Sequence, residues 1–343
     1  MSMTFIEGGV CAPAGFTANG ICCGIKKGRT KNDIAVIDSE VPASAAAVFT
    51  RNLVKAEPVK LSQKHIAKGY AQAVIANSGN ANACTGEQGY KNALKTAELA
   101  AKELGLASED VLVCSTGVIG QQINIGAIEA GMARLCEGIS KDGNVSAREA
   151  IMTTDTKYKE VAVETMIGGK KVTVGTMAKG SGMIHINMGT MLGFITTDCA
   201  ISPAMLQAAL SESVERTYNC VSVDGDTSTN DTLIALANGL AGNKMISSKN
   251  ADWKAFVEAL DAVNTEMAKK IAGDGEGATH LIECNVCGAK NDEVARNLAK
   301  SIISSSLVKA AFFGKDANWG RILCAMGYSG ELFTQSGTSV FFD

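Results

Sequence analysis

Two β-rich runs, KEVAVETM and KKVTV, flank Gly168-Gly169 within residues 159–174. A glycine pair accepts the positive φ angles of a tight hairpin turn, so the runs are predicted to fold back as antiparallel strands. Any fold for this chain must therefore supply a sheet that receives this hairpin. The rest of the chain fits that demand. GGVCAPAGF, ANGICCGIKKG and DIAVIDSE alternate short apolar runs with Gly and Asn, the mark of strands and turns. AQAVIANSGNANACTGEQG reads as a strand into a polar loop, and VLVCSTGVIG as a buried strand running into a glycine turn. Residues 88–104 carry Ala93, Leu94, Ala97, Ala100, Ala101 and Leu104 on one helical face, with Gly105 placed to cap the end. Helices are also predicted over 124–139, from near Ala147, and over 252–272. Ser202-Pro203 opens another, whose face is Leu206, Ala209, Leu210, Ser213 and Val214. NCVSVDGD is predicted as a strand into an acidic turn. HLIECNVCGA, RILCAMGYSG and the closing SGTSVFFD are predicted as strands, and NDEVARNLAKSIISSSLVKAAFF as one helix. The mixture predicts α/β or α+β layers with much antiparallel sheet.

At 343 residues and 46% hydrophobic content the chain can build two ordinary domains or one large one. Its net charge of −3 has both signs interspersed, which excludes a basic footprint for nucleic acid and a polybasic membrane signal. No uncharged apolar run reaches the roughly 18 residues of a membrane-spanning helix. MSMTFIEGGVCAPAGF has no basic n-region and no long apolar h-region, so no secretory signal is expected. Eleven cysteines, an odd number, then read as reduced thiols in a cytoplasmic enzyme.

The motifs that point elsewhere fail on spacing. Cys284 and Cys287 have CxxC spacing, but residues three apart on a strand face opposite ways, and no second ligand pair follows. DGDTSTND, 224–231, would need Gly at position six and Glu at position twelve for calcium, and has Thr229 and Ala235. It is read as an acidic turn that bonds its own backbone. GNANACTGEQG lacks the ending of a phosphate loop and reads as a turn near a cleft. His65, His185 and His280 show no metal spacing, and no G-x-S-x-G elbow occurs. No metal is expected.

A hydroxyl nucleophile here would need some other base. A threonine that begins a chain can use its own α-amine, whose ordinary pKa of about 7.7–8 lets it take a proton near neutrality. In HINMGTMLGFI, cleavage between Gly189 and Thr190 would create that base. Thr190 Oγ would attack the Gly189 carbonyl, shift the acyl group from N to O, and leave an ester for water to cut. The dipeptide alone does not single this site out, because Gly175-Thr176 and Gly337-Thr338 are the same step.

GNANACTGEQG (79–89), STGVIG (115–120), IMTTDT (151–156), GTMAKGSGMI (175–184), NMGTML (187–192), TTDCAIS (196–202), SVDGDTSTND (222–231), GDGEGATHLIE (273–283) and NWGRILCAMGYSG (318–330) occur in this order along nearly the whole chain. With them the chain resembles the ornithine acetyltransferase family, the bifunctional glutamate N-acetyltransferase/amino-acid acetyltransferases of arginine biosynthesis. The resemblance implies an α/β/β/α sandwich around an N-terminal-nucleophile threonine, with a second α/β domain. It implies cleavage at 189/190 into an α chain, 1–189, and a β chain, 190–343, held as an α2β2 heterotetramer. Thr190 would be the nucleophile, and Thr116 and Gly117 the oxyanion pair. Thr153, Lys179, Thr190 and Glu276 would contact substrate. Acetyl would pass from N-acetylornithine to glutamate through acetyl-threonine, without a cofactor; acetyl-CoA serves some members as a second donor.

Two departures stand out. The family commonly has alanine where this chain has Gly189, which only removes a methyl group. The family also continues beyond SGTSVFFD with a tail that supplies an Asn and a Ser or Thr near the substrate, so a chain truncated after Asp343 is expected. Two other readings fit the same residues: an amidohydrolase or aminopeptidase with the same nucleophile, and an inactive truncated fragment.

Overall fold

The Gly168-Gly169 hairpin forms in the computed structural model of the chain, pairing Glu160 with Met177 through Ile167 with Lys170. Residues 3–26, 28, 30–185 and 191–343 are described. The strands are β1 (Thr4–Ile6), β2 (Phe16–Ile21), β3 (Ile34–Phe49), β4 (Tyr70–Asn77), β5 (Val111–Ser115), β6 (Glu160–Ile167), β7 (Lys170–Lys179), β8 (Ile184–His185), β9 (Leu192–Thr197), β10 (Ser222–Thr227) and β11 (Thr232–Ala237). The helices are α1 (Glu57–Ile66), α2 (Gly86–Leu104), α3 (Ile125–Glu137), α4 (Asn144–Ala150), α5 (Pro203–Arg216), α6 (Ala251–Ala272), α7 (Asp292–Ser304), α8 (Ser306–Phe313) and α9 (Trp319–Gly327).

Most strands join one continuous ladder in the order β1-β6-β7-β9-β11-β3-β4-β5, with β2 also on β3. Pairs β9/β11 and β4/β5 are parallel and the rest antiparallel, as the interleaved hairpins and helical crossovers require. Strand β3 links two halves of the sandwich. Its first part pairs with β2 and β4, and its last part with β11. The register slips between Asp38 and Ala43, where Pro42 cannot donate to a ladder.

Alternation along the strands explains the layers. On β4, Ala73 and Ile75 enter a core shared with α1, α2 and α3, while Val74 and Ala76 enter a central core. On β11, Ile234 and Leu236 face that central core, while Leu233, Ala235 and Ala237 face a third core under α5 and α6. Strands buried on both faces read as continuous apolar runs, which is why VLVC and LIALA show no polar alternation. Three cores between four layers give the expected α/β/β/α sandwich. Helix α2 buries Ala93, Ala97, Ala100 and Ala101, and Gly105 ends it at φ +69°. Helix α5 buries Leu206, Ala209, Leu210, Ser213 and Val214; Ser202 precedes it with extended backbone but makes no side-chain cap bond. Among the described residues, no helix is long and apolar enough to cross a membrane.

The later sequence departs from expectation in several places. RILCAMGYSG is not a strand. Ile322, Ala325 and Met326, at helical spacing, bury one face of α9, and the Asn318 side chain caps it by accepting from Arg321 N. A short apolar run does not by itself distinguish the two periods. HLIECNVCGA has no ladder partner among the described residues; Cys284 and Val286 pack on the helical core of α7–α9 instead. The opposite-face argument for Cys284 and Cys287 therefore loses its strand. SGTSVFFD is also not a strand, and Phe342 packs on Phe312 with ring centroids 6.0 Å apart. The single predicted helix breaks at Ser305, whose hydroxyl caps α8 by accepting from Val308 N. Strand β10 runs on through the predicted acidic turn and pairs with β8. Asp224 still bonds backbone, accepting from Ile184 N and Asp226 N.

Candidate active site

Strand β5 ends at Ser115, and the chain must turn. Thr116 N donates to Asn77 O at 2.8 Å, and Ala81 N to Val118 O, so the STGVIG turn is stitched to the loop after β4. Gly117 sits at φ +135°, and a Cβ there would lie 3.0 Å from Asn80 N. Only glycine fits that position without strain. Asparagines organise the facing loop: Asn77 Oδ1, at the end of β4, accepts from Gly79 N and Asn80 N, and Asn80 Oδ1 from Asn82 N.

On the opposite wall, β7 ends at Lys179, which is buried. A buried ammonium without a partner costs several kcal/mol, roughly enough to neutralise it. Asp155 offsets that cost. Its carboxylate is fully buried and accepts from Lys159 Nζ at 2.7 Å, Gly180 N at 2.7 Å and Thr153 N at 3.1 Å. One side chain thus fixes both the Thr153 segment and the end of β7. Burial pushes the Asp155 carboxyl up, but the Lys179 and Lys159 ammoniums overcome this and hold it below its ordinary value. Burial pushes the Lys179 ammonium down, opposed by the carboxylates of Asp155 and Asp231. Lys159 also pairs with Asp274, which anchors the GDGEGA loop. Glu276 N donates to Ser181 O at 3.1 Å, and a Cβ on Gly182 would lie 2.4 Å from the Glu276 carboxylate. The glycine leaves the space that the carboxylate occupies.

The third wall is the segment between β10 and β11. Asn230 Nδ2 donates to Ala81 O and Ser115 O, tying this segment to the β5 turn. Thr232 N donates to Met191 O at 2.9 Å, which fixes the chain just after residue 190.

These walls enclose a cavity of about 430 Å3. Thr116, Gly117, Thr153, Lys179 and Glu276, distant in sequence, all line it, together with Met191. Thr190 and Gly189 lie outside the described residues. Sequence reading missed Asp155, Asp231, Asn230 and Lys26. Asp155 lay inside the quoted IMTTDT, and Asp231 inside the run read as an acidic turn; nothing in either pattern says that the carboxylate is buried beside a lysine. His185 is not in the cavity wall, and its Nδ1 lies 2.9 Å from Ser222 Oγ. A larger cavity, about 560 Å3, lies beside α6–α8 and is lined by Ala268, Ile282, Val286 and Phe312 among others. It shares Glu276 with the first but has neither Thr116, Gly117 nor Lys179, so the smaller cavity is the one on which the residues singled out in the sequence converge.

The profile of the ArgJ family matches residues 17–343. The chain is similar to the arginine biosynthesis bifunctional protein ArgJ of Symbiobacterium thermophilum, 54% identical over 332 residues, which is 96% of this chain and 83% of the relative. It is similar to the crystal structure of the arginine biosynthesis bifunctional protein argJ from Bacillus halodurans, at 42% identity and TM-score 0.52, over 55% of this chain and 98% of that one. It is also similar to the ornithine acetyltransferase of Mycobacterium tuberculosis solved in complex with ornithine, at 41% identity and TM-score 0.50, over 53% of this chain and 97% of that one.

Proposed function

This chain belongs to the ArgJ family, and on that premise we propose how its cavity works. The protein is an acyltransferase of arginine biosynthesis, an ornithine acetyltransferase and glutamate N-acetyltransferase. The observation that carries the detailed reading is the convergence of Thr116, Gly117, Thr153, Lys179 and Glu276 on the cavity that Met191 also lines.

In this reading the precursor cuts itself at 189/190. Thr190 Oγ attacks the Gly189 carbonyl carbon, the peptide C–N bond breaks, and water hydrolyses the resulting ester. The product carries a free α-amine on Thr190. N-acetylornithine then enters with its α-carboxylate toward Lys179 and its ammonium toward Glu276. The Thr190 amine takes the Oγ proton as Oγ attacks the acetyl carbonyl carbon. The Thr116 hydroxyl and the Gly117 N–H donate to the oxyanion. The intermediate collapses, the C–N bond breaks, and ornithine leaves with that proton. The neutral amine of glutamate attacks the acetyl ester, Thr190 Oγ recovers a proton, and N-acetylglutamate departs. Both halves of the processed chain contribute walls, so they stay together, with α2β2 as the assembly.

Intact mass tests this directly. Wild-type protein should resolve into two pieces divided at 189/190, and Thr190→Ala should remain one. N-acetylornithine alone should then add one acetyl group to the piece that begins with Thr190. Acetyl-CoA alone should add the same group if it is a second donor. An N-terminal-nucleophile hydrolase would instead release acetate without N-acetylglutamate, and that result alone would sink the transferase mechanism.

A further inference from the structure

The cavity contains a cation that the mechanism above does not use. Lys26 lines the same wall region as Ser78, Gly79 and Thr116. Its side chain is exposed, and the three residues before it are anchored. Asp33, fully buried, accepts from three successive backbone N–H groups just ahead of it: Cys23 at 2.8 Å, Gly24 at 3.1 Å and Ile25 at 2.8 Å. Gly79 has no Cβ, and one there would lie 2.5 Å from Ile25 Cβ and 3.3 Å from Lys26 N. Glycine thus lets the 25–26 segment press against the cavity rim.

The charges of the two substrates differ in a way that this residue can read. N-acetylornithine carries one carboxylate and one ammonium. Glutamate carries two carboxylates, and its amine must be neutral to attack. Among the described lining residues the cations are Lys179 and Lys26. Lys179 is buried, feels the Asp155 carboxylate, and serves one carboxylate. The second carboxylate of glutamate needs a second cation. The subsite also holds Glu276, which receives the ornithine ammonium, so that cation must offset the Glu276 carboxylate when glutamate is bound and withdraw when ornithine is. An exposed lysine on a flexible four-carbon stem can do so at little cost, because water solvates it when it swings away.

We propose that Lys26 receives the side-chain carboxylate of the glutamate acceptor and so sets acceptor specificity. The proposal rests on the reading of this cavity as the acetyl-transfer site. Glutamine is the decisive probe, since it has the shape of glutamate without the second charge. The processed enzyme and its Lys26→Gln and Lys26→Glu variants would be compared by kcat/KM for glutamate and for glutamine, with N-acetylornithine as donor. The preference for glutamate should fall about tenfold in Lys26→Gln, the size expected for one charge-assisted contact. In Lys26→Glu it should fall further, with glutamine the better acceptor. A preference unchanged within twofold in both variants overturns the assignment. The acetyl adduct formed by N-acetylornithine alone separates the two failures. With the adduct present and the preference unmoved, only the role of Lys26 is wrong. With no adduct on wild-type enzyme, the transfer reading fails and the inference falls with it.

Discussion

A single carboxylate, Asp155, holds one wall of the cavity in shape. It bonds the Thr153 and Gly180 amides and faces Lys179. Asp155→Asn has nearly the same size but removes the charge that opposes deprotonation of Lys179, and its amide oxygen can keep the Gly180 bond while the Thr153 N–H loses its acceptor. The sign is fixed: burial already lowers the Lys179 pKa, and loss of Asp155 lowers it further. The profile of kcat/KM should rise with pH as the Thr190 amine loses its proton, near its ordinary value of about 7.7–8, and fall again as Lys179 deprotonates. In Asp155→Asn the falling limb should move to lower pH, with the rising limb in place; a falling limb that stays put would remove Lys179 from substrate binding. Gly117→Ala is a second case. At φ +135° with Asn80 N in the way, a methyl group must shift the turn and its N–H. A loss of about 10²–10³ in kcat is expected, as for loss of one oxyanion donor. The family resemblance singled out Gly117, Thr153, Lys179 and Glu276, and they line one cavity. Asp155 was not legible, because the sequence shows a carboxylate but not the lysines that face it.

At the level of elements, legibility followed periodicity. Helix α2 and its Gly105 cap, α5 with its buried face, and the β6–β7 hairpin all form where the pattern places them. Each carries a clear period and a local stop signal. The failures lie after residue 280. There, short apolar runs such as ILCAM fit both periods, and the side chains pack on a small helical core instead of a sheet. Packing of α6 is tested at one residue. Phe256 is fully buried between α6 and the sheet. Phe256→Ala should destabilise the protein by about 3–5 kcal/mol, read from urea denaturation. Asn230→Ala should cost less, about 1–3 kcal/mol, by leaving the carbonyls of Ala81 and Ser115 unpaired. A loss of activity larger than that of Phe256→Ala at equal folded fraction would show that Asn230 acts on the cavity walls rather than on stability alone.

For the whole molecule, the fold class followed from interleaved hairpins and helices, but its closure did not. Nothing in DIAVIDSEVPASAAAVF announces that one 16-residue strand will serve both halves of a sandwich. That is set by which neighbours reach it, and those neighbours lie up to the far side of residue 230. The same closure locates the cavity, whose walls come from the ends of β5 and β7, the segment before β11 and the loop after α6.

The central ladder reads β7-β9-β11-β3. With a cut at 189/190, β7 and β3 belong to the first piece and β9 and β11 to the second, so two strands of one polypeptide lie between strands of the other. Before the cut, folding is a unimolecular search by one tethered chain. Afterwards, an unfolded enzyme must find its partner by diffusion, and recovery becomes a second-order event. Refolding of Thr190→Ala precursor from urea should therefore be independent of protein concentration at the level of the single chain. Recovery of the processed pair should slow as the protein is diluted. Such a protein is built once and then has only a lifetime, set by how rarely its two pieces come apart.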